Sequence, residues 1–211
     1  TTFAGQGIRS VQKMGGIGVY IDNEFKLDLQ YFRDGLGVDL SKMIVTQPAT
    51  VEDSMTILNE LLMKVFYDYP GMPVFGVLDS INSTKSSKEY EEDGTADFNE
   101  ANQAGLGASA RFWSLNLPKL LRLINQKPVA LLFISQPREK IGTPGRNLVA
   151  GGNGPKFYAA LVIEIFRRFK GGADWEESGR KVGSILIGKC IKNQVSTPQK
   201  EAEIYMRFGK G

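Results

Sequence analysis

Two nearly continuous apolar runs, PVFGVLDS at 73–80 and PVALLFISQ at 128–136, constrain the fold more than any other feature of the chain. Runs of this length with no polar alternation suit strands covered on both faces, and that burial belongs to parallel sheets flanked by helices. IGVYID at 17–22 is a third such run, and MIVTQ at 43–47 a fourth. Between them the apolar spacing changes to that of helices. After Thr50, with Glu52 and Asp53 in a capping-type first turn, Val51, Met55, Leu58, Leu62, Val65 and Phe66 make one helical face. ARFWSLNLPKLLRLIN reads as another helix, with an irregularity at Pro118 and with Phe112 and Trp113 as core residues. This alternation predicts an α/β chain with a mainly parallel central sheet and helices on both faces. Past Lys156, the runs YAALVIEIFRRF, GSILIGKCIKN and EAEIYMRFG have no helices between them. They are therefore expected to pair antiparallel and extend the sheet at one edge.

With 211 residues, 42% of them hydrophobic, the chain can bury a full core as one domain. No stretch approaches the roughly 18 apolar residues of a membrane span, so no membrane partner and a cytoplasmic location are expected. His is absent, which excludes the usual zinc and His-based catalytic arrangements, and the single Cys190 cannot form an internal disulfide. Chemistry must come from carboxylates, amides, cations or a bound metal. Charge is unevenly placed: Pro137 to Lys170 holds seven Lys or Arg against two Glu, and Glu89 to Glu100 holds six acids and no base.

Ligands of open α/β sheets bind beyond the carboxyl ends of the strands. Three predicted strand ends carry polar side chains: Asp22 and Glu24, then Asp79 and Ser80, then Gln136. An acid leaving an apolar strand, as in VLDS, suits magnesium at a nucleotide site, although capping the next turn would explain it equally well. Directly after Gln136, residues 137–155 are rich in Gly, Pro, Asn and cations. A long connection inside a compact fold is usually functional or disordered. Arg138, Lys140, Arg146 and Lys156, with glycines that let the backbone approach closely, suit a phosphate chain.

The segments IDNEFKLDLQYFRDGLGVD, VLDS, GLGASAR, FISQPREKIG, GGNGPKFYA and KCIKN occur in the order and spacing of bacterial and phage RecA-type recombinases, which the chain resembles over nearly its whole length. The resemblance implies a RecA-like P-loop ATPase core that uses ATP and Mg2+. Such a core is expected to form filaments on single-stranded DNA and to promote pairing and strand exchange with homologous duplex DNA in recombination and repair. A DNA-binding module or a helicase-type ATPase of the same fold is the alternative. Glu24 matches the carboxylate that orients and deprotonates the attacking water, and Gln136 the amide that senses the γ-phosphate. Thr1 and Asp79 match the magnesium-binding hydroxyl and acid, with Thr2 and Ser80 beside them, and Asp28 and Tyr31 match positions flanking adenine. Lys192 matches a cation that reaches the neighbouring subunit's nucleotide, while a second family cation is replaced by Gln194. The loop after Gln136 matches the second DNA-binding loop: Ile141 matches the residue that wedges between base triplets, and Gly151, Gly152 and Asn153 match donors to phosphates. Arg111 and Ser114 match the helix behind the first DNA loop, which falls within 83–105; the place of another family cation there is taken by Pro118, with Lys119 adjacent and able to substitute. The phosphate-cradling G-x-x-x-x-G-K of the family has its place before Thr1, so the chain reads as a fragment that lacks it, the N-terminal oligomerisation segment and the C-terminal domain. By itself it is expected to hydrolyse little or no ATP.

Overall fold

The computed structural model describes residues 1–87, 107–136, 154–168 and 172–211, together with a short pairing of 138–139 with 147–148. Helix α1 (Thr2–Lys13) leads into β1 (Ile17–Asp22), followed by β2 (Met43–Thr46), α2 (Val51–Asp68), β3 (Val74–Asp79), α3 (Ala108–Ile124) and β4 (Val129–Ile134). The strands form a four-stranded, all-parallel sheet in the order β2-β1-β3-β4. From β1 the chain moves outward to β2 and returns to β3 on the other side. The strand order therefore reverses between β1 and β3, where open sheets leave a crevice for ligands. Asp22 and Asp79 are paired across that point.

Period-two alternation sends Val19, Ile21, Val74 and Leu78 to one face, where they meet Leu58, Leu62 and Val65 of α2 and Trp113, Leu117 and Leu120 of α3. Tyr20 and Val77 face the other side, against Ala4 and Ile8 of α1 and Phe32, Leu36 and Val38. Gly18 makes the second packing possible: a Cβ there would lie 2.5 Å from a methyl of Ile8. Trp113 is fully buried, as the apolar spacing predicts. The expected cap at Thr50 is a complete capping box with Asp53. Pro118 lies inside α3, which runs through it as one helix. Leu62 is fully buried against several neighbours. Leu62→Ala is expected to cost about 2–5 kcal/mol, read as a lower urea midpoint with little change in slope.

One expectation is corrected. The later strands β7 (Leu161–Arg167), β8 (Asp174–Glu177), β9 (Arg180–Asn193) and β10 (Glu201–Arg207) are antiparallel, but they form a sheet of their own. Its order is β10-β9-β7, with β8 also on β9, and among the described residues β4 pairs only with β3. Local pattern dictates that successive strands without crossover helices pair antiparallel. It does not dictate which older strand their edge adjoins. Between the sheets, β5 (Arg138–Glu139) pairs antiparallel with β6 (Asn147–Leu148), so the cationic loop begins as a hairpin, and α4 (Gly154–Tyr158) follows it. Among the described residues no helix is long and apolar enough to cross a membrane.

Candidate nucleotide site and the root of the cationic hairpin

The turn leaving β1 is built around Asp22. Its Oδ1 accepts the backbone N–H groups of Glu24 (3.2 Å) and Lys26 (3.3 Å), and its Oδ2 accepts that of Leu27 (3.1 Å) and the Gln47 amide (3.0 Å). Asp22 is thus a buried structural carboxylate, and its work is to present Glu24. Asn23 ties the same turn to β3. Its N–H donates to the Asp79 carbonyl (2.7 Å), its side-chain amide to the Ser80 carbonyl (3.3 Å), and it accepts from Ser54 of α2 (3.2 Å).

Glu24, Ser80 and Gln136, named from three different strand ends, meet directly. Glu24 Oε1 accepts the hydroxyls of Ser80 (2.7 Å) and Ser83 (2.9 Å) and the Gln136 side-chain amide (3.0 Å). Among the described residues Glu24 Oε2 has only the Lys26 ammonium as a charged or hydrogen-bonding neighbour, 3.7 Å away. The Ser80 hydroxyl, with Ser83 and Lys26 adding to it against partial burial, holds the Glu24 carboxyl below its ordinary value. It is therefore ionised at neutral pH, and among the described residues its hydrogen-bond donors all sit on Oε1. The Gln136 backbone is fixed separately: Asn82 accepts its N–H (3.0 Å) and donates to its carbonyl (2.6 Å).

Beside this group, Asp79 Oδ2 accepts the Thr1 hydroxyl at 3.1 Å and the Tyr20 phenol at 2.5 Å. Burial, reinforced by Asp79, pushes the Tyr20 phenol far above its ordinary value, so it remains a donor at any working pH. Thr2 and Tyr31 share a hydrogen bond (3.1 Å), and Asp28 accepts the Tyr31 N–H (2.9 Å). The predicted nucleotide contacts Thr1, Thr2, Asp28, Tyr31, Asp79 and Ser80 thus lie in linked positions around the start of α1. Among the described residues no cluster of three or more carboxylates, Cys or His could cage a metal. Magnesium does not need one: it typically uses one or two protein oxygens and keeps waters or phosphate oxygens. Thr1 and Asp79 fit that role. The Thr1 hydroxyl places its proton on Asp79 and keeps its lone pairs for a hard cation.

The remaining predicted residues fall elsewhere. The Lys192 ammonium donates to the carbonyls of Lys156 (3.1 Å) and Phe157 (2.6 Å), capping α4, and among the described residues makes no hydrogen bond to the rim. Arg111 and Ser114 are exposed on the first turns of α3. Ser114 Oγ bonds the Ala110 carbonyl, and a Cβ on Gly154 would sit 2.9 Å from it, so Ser114 touches the far root of the hairpin segment. Lys140, Ile141, Arg146, Gly151, Gly152 and Asn153, the side chain of Arg138 and residues 88–106 of the acidic excursion lie outside the described residues. Asn23, Ser54, Asn82, Ser83 and Tyr20 were not singled out from sequence. For Asn82 and Ser83 the available signal was their place in the polar turn directly after VLDS.

Comparison with known proteins agrees with this arrangement. The RecA N-terminal domain family matches residues 1–211. Protein RecA of Helicobacter hepaticus is 33% identical over the whole chain, which covers 57% of that protein. For Protein RecA of Ureaplasma parvum the figures are 35% and 58%, and for that of Thermotoga maritima 32% and 55%. The chain therefore spans a little over half the length of these relatives. Matched along all of its residues, the chain belongs to the RecA family.

Proposed function

We propose that this chain is the ATP-hydrolysing, DNA-gripping core of a homologous recombinase that polymerises on single-stranded DNA and pairs it with homologous duplex. The observation that carries the reading is the 3.0 Å hydrogen bond from Gln136 to Glu24. It joins the carboxylate best placed for the attacking water to the residue from which the cationic hairpin springs. Magnesium, held through Thr1 and Asp79, supplies neutralisation of phosphate charge. Glu24 Oε2 orients the water, and its three donors on Oε1 keep the carboxylate from swinging away. A γ-phosphate beside Gln136 competes for its amide, which changes the tether at the root of the hairpin. Arg111 with Arg138, Lys140 and Arg146 then meets the DNA backbone, Ile141 the bases, and Gly151, Gly152 and Asn153 the phosphates. Lys192 is assigned to the nucleotide of the next subunit in the filament. Its ammonium reaches from β9 to the end of α4, the element that follows the hairpin, which supports that assignment.

The test is DNA binding by the full-length protein with ATP and Mg2+. Four phosphate-contacting cations predict a log–log salt slope near −3, so affinity for single strands falls roughly fiftyfold between about 50 and 200 mM salt, with little dependence on sequence. A flat salt response, or closed rings in place of open filaments by electron microscopy, counts against the reading.

A further inference from the structure

Tyr20 stands in the middle of β1, in a run whose other members up to Asp22 are Ile, Val and Gly. Its ring is 1% exposed and packs edge-on against Phe32, with centroids 5.6 Å apart. A buried phenol needs an acceptor. This one reaches across to the neighbouring strand and takes Asp79 Oδ2, the same oxygen that accepts the Thr1 hydroxyl. No side chain among the described residues donates to Oδ1. The terminal torsion of an aspartate is broad and nearly two-fold, so a free carboxylate would exchange its oxygens readily. Two donors on one oxygen, one of them on a rigid ring locked in the core, prevent that exchange.

We propose that Tyr20 is a positioning residue for the nucleotide site: by holding Asp79 Oδ2 it reserves Oδ1 for the divalent cation, so that the site favours a metal–nucleotide complex over free nucleotide. The inference rests on the reading of Thr1 and Asp79 as the metal side of an ATP site. Nothing else in the strand requires a hydroxyl at position 20; a Phe would fill the same space against Phe32.

The full-length protein and its Tyr20→Phe and Tyr20→Leu variants test this. Calorimetry gives ATP affinity with excess chelator and with Mg2+, and the ratio of the two is the metal coupling. Mn2+ binding followed by electron paramagnetic resonance reads the same property without turnover. Tyr20→Phe keeps the ring, and its metal-free ATP affinity is expected to stay within about twofold. Its metal coupling and Mn2+ affinity fall about tenfold, the scale of one lost hydrogen bond to a charged group. Tyr20→Leu loses the coupling to a similar degree and in addition melts earlier. Unchanged coupling in Tyr20→Phe, with loss confined to Tyr20→Leu, shows that only packing matters at this position and overturns the proposal. If the parent protein itself shows no metal coupling, the assignment of Thr1 and Asp79 fails, and the role of Tyr20 fails with it.

Discussion

Glu24→Gln in the full-length protein is expected to lower the ATP hydrolysis rate by two to four powers of ten, roughly the contribution of a positioned proton acceptor, while KM for ATP moves by no more than a few-fold. The asymmetry of the carboxylate explains why. Oε1 is occupied by Ser80, Ser83 and Gln136, all donors. An introduced amide keeps its oxygen on that side, because all three partners offer protons. Its NH2 then faces the position of the water, as a donor where an acceptor is needed. The site stays assembled and has the wrong polarity at one atom. Single-turnover hydrolysis alongside equilibrium ATP binding separates the two effects; equal losses in both would mean that Glu24 binds nucleotide and does not handle the water.

The acidity of Glu24 sharpens this expectation. Its carboxyl is held below the ordinary value of 4.5, chiefly by the Ser80 hydroxyl. On the proposed function the ionised form supports turnover, so the contribution of Glu24 is expected to be fully present through the neutral range and lost only as pH falls through that lowered value. No rise in rate between pH 6 and 8 is therefore assigned to Glu24. A weakly basic carboxylate still suits phosphoryl transfer, because a loose transition state asks more for placement of the nucleophile than for early removal of its proton.

The parallel half of the fold was legible from sequence for a definite physical reason. The runs around Val77 and Leu132 have no polar alternation, and only a sheet covered on both sides accommodates that. Thr50 announced the start of α2 through its spacing to Asp53. The place of the later strands was not legible, because whether they join the parallel sheet or form one of their own depends on contacts distant in sequence. The rim followed the same division. Glu24, Asp79 and Gln136 were found because strand ends converge at a switch point. Asn82, which grips Gln136 across 54 positions of sequence, is one more short polar residue in a turn until the chains are placed. Strand-end position alone does not separate Asp22 from Glu24; the resemblance singles out Glu24, and the backbone amides gathered by Asp22 distinguish the structural carboxylate from the presented one. Tyr20 was hidden differently, since within IGVYID it counts as an ordinary strand former. The one hint was a hydroxyl that a doubly buried strand would have to satisfy.

Gln136→Ala is expected to separate nucleotide binding from DNA affinity. In the parent full-length protein, ATP should strengthen single-strand binding by about a hundredfold, near the upper end of ordinary coupling energies. In the variant that enhancement collapses to within a few-fold, while ATP affinity itself changes little, because the side chain's one described hydrogen bond is to Glu24. Loss of local folding is not the cause: Asn82 bonds the Gln136 backbone on both sides, and those bonds do not involve the truncated side chain. The root of the hairpin therefore stays attached to the turn after β3. What disappears is the amide that bonds Glu24 and that, on the proposed function, also answers to the γ-phosphate. By linkage the effect must be reciprocal, so single-stranded DNA should also cease to tighten ATP binding in the variant. Measuring both affinities, each with and without the other ligand, closes the cycle. Coupling that survives intact in both directions would place the communication between nucleotide and DNA on a path that bypasses Gln136.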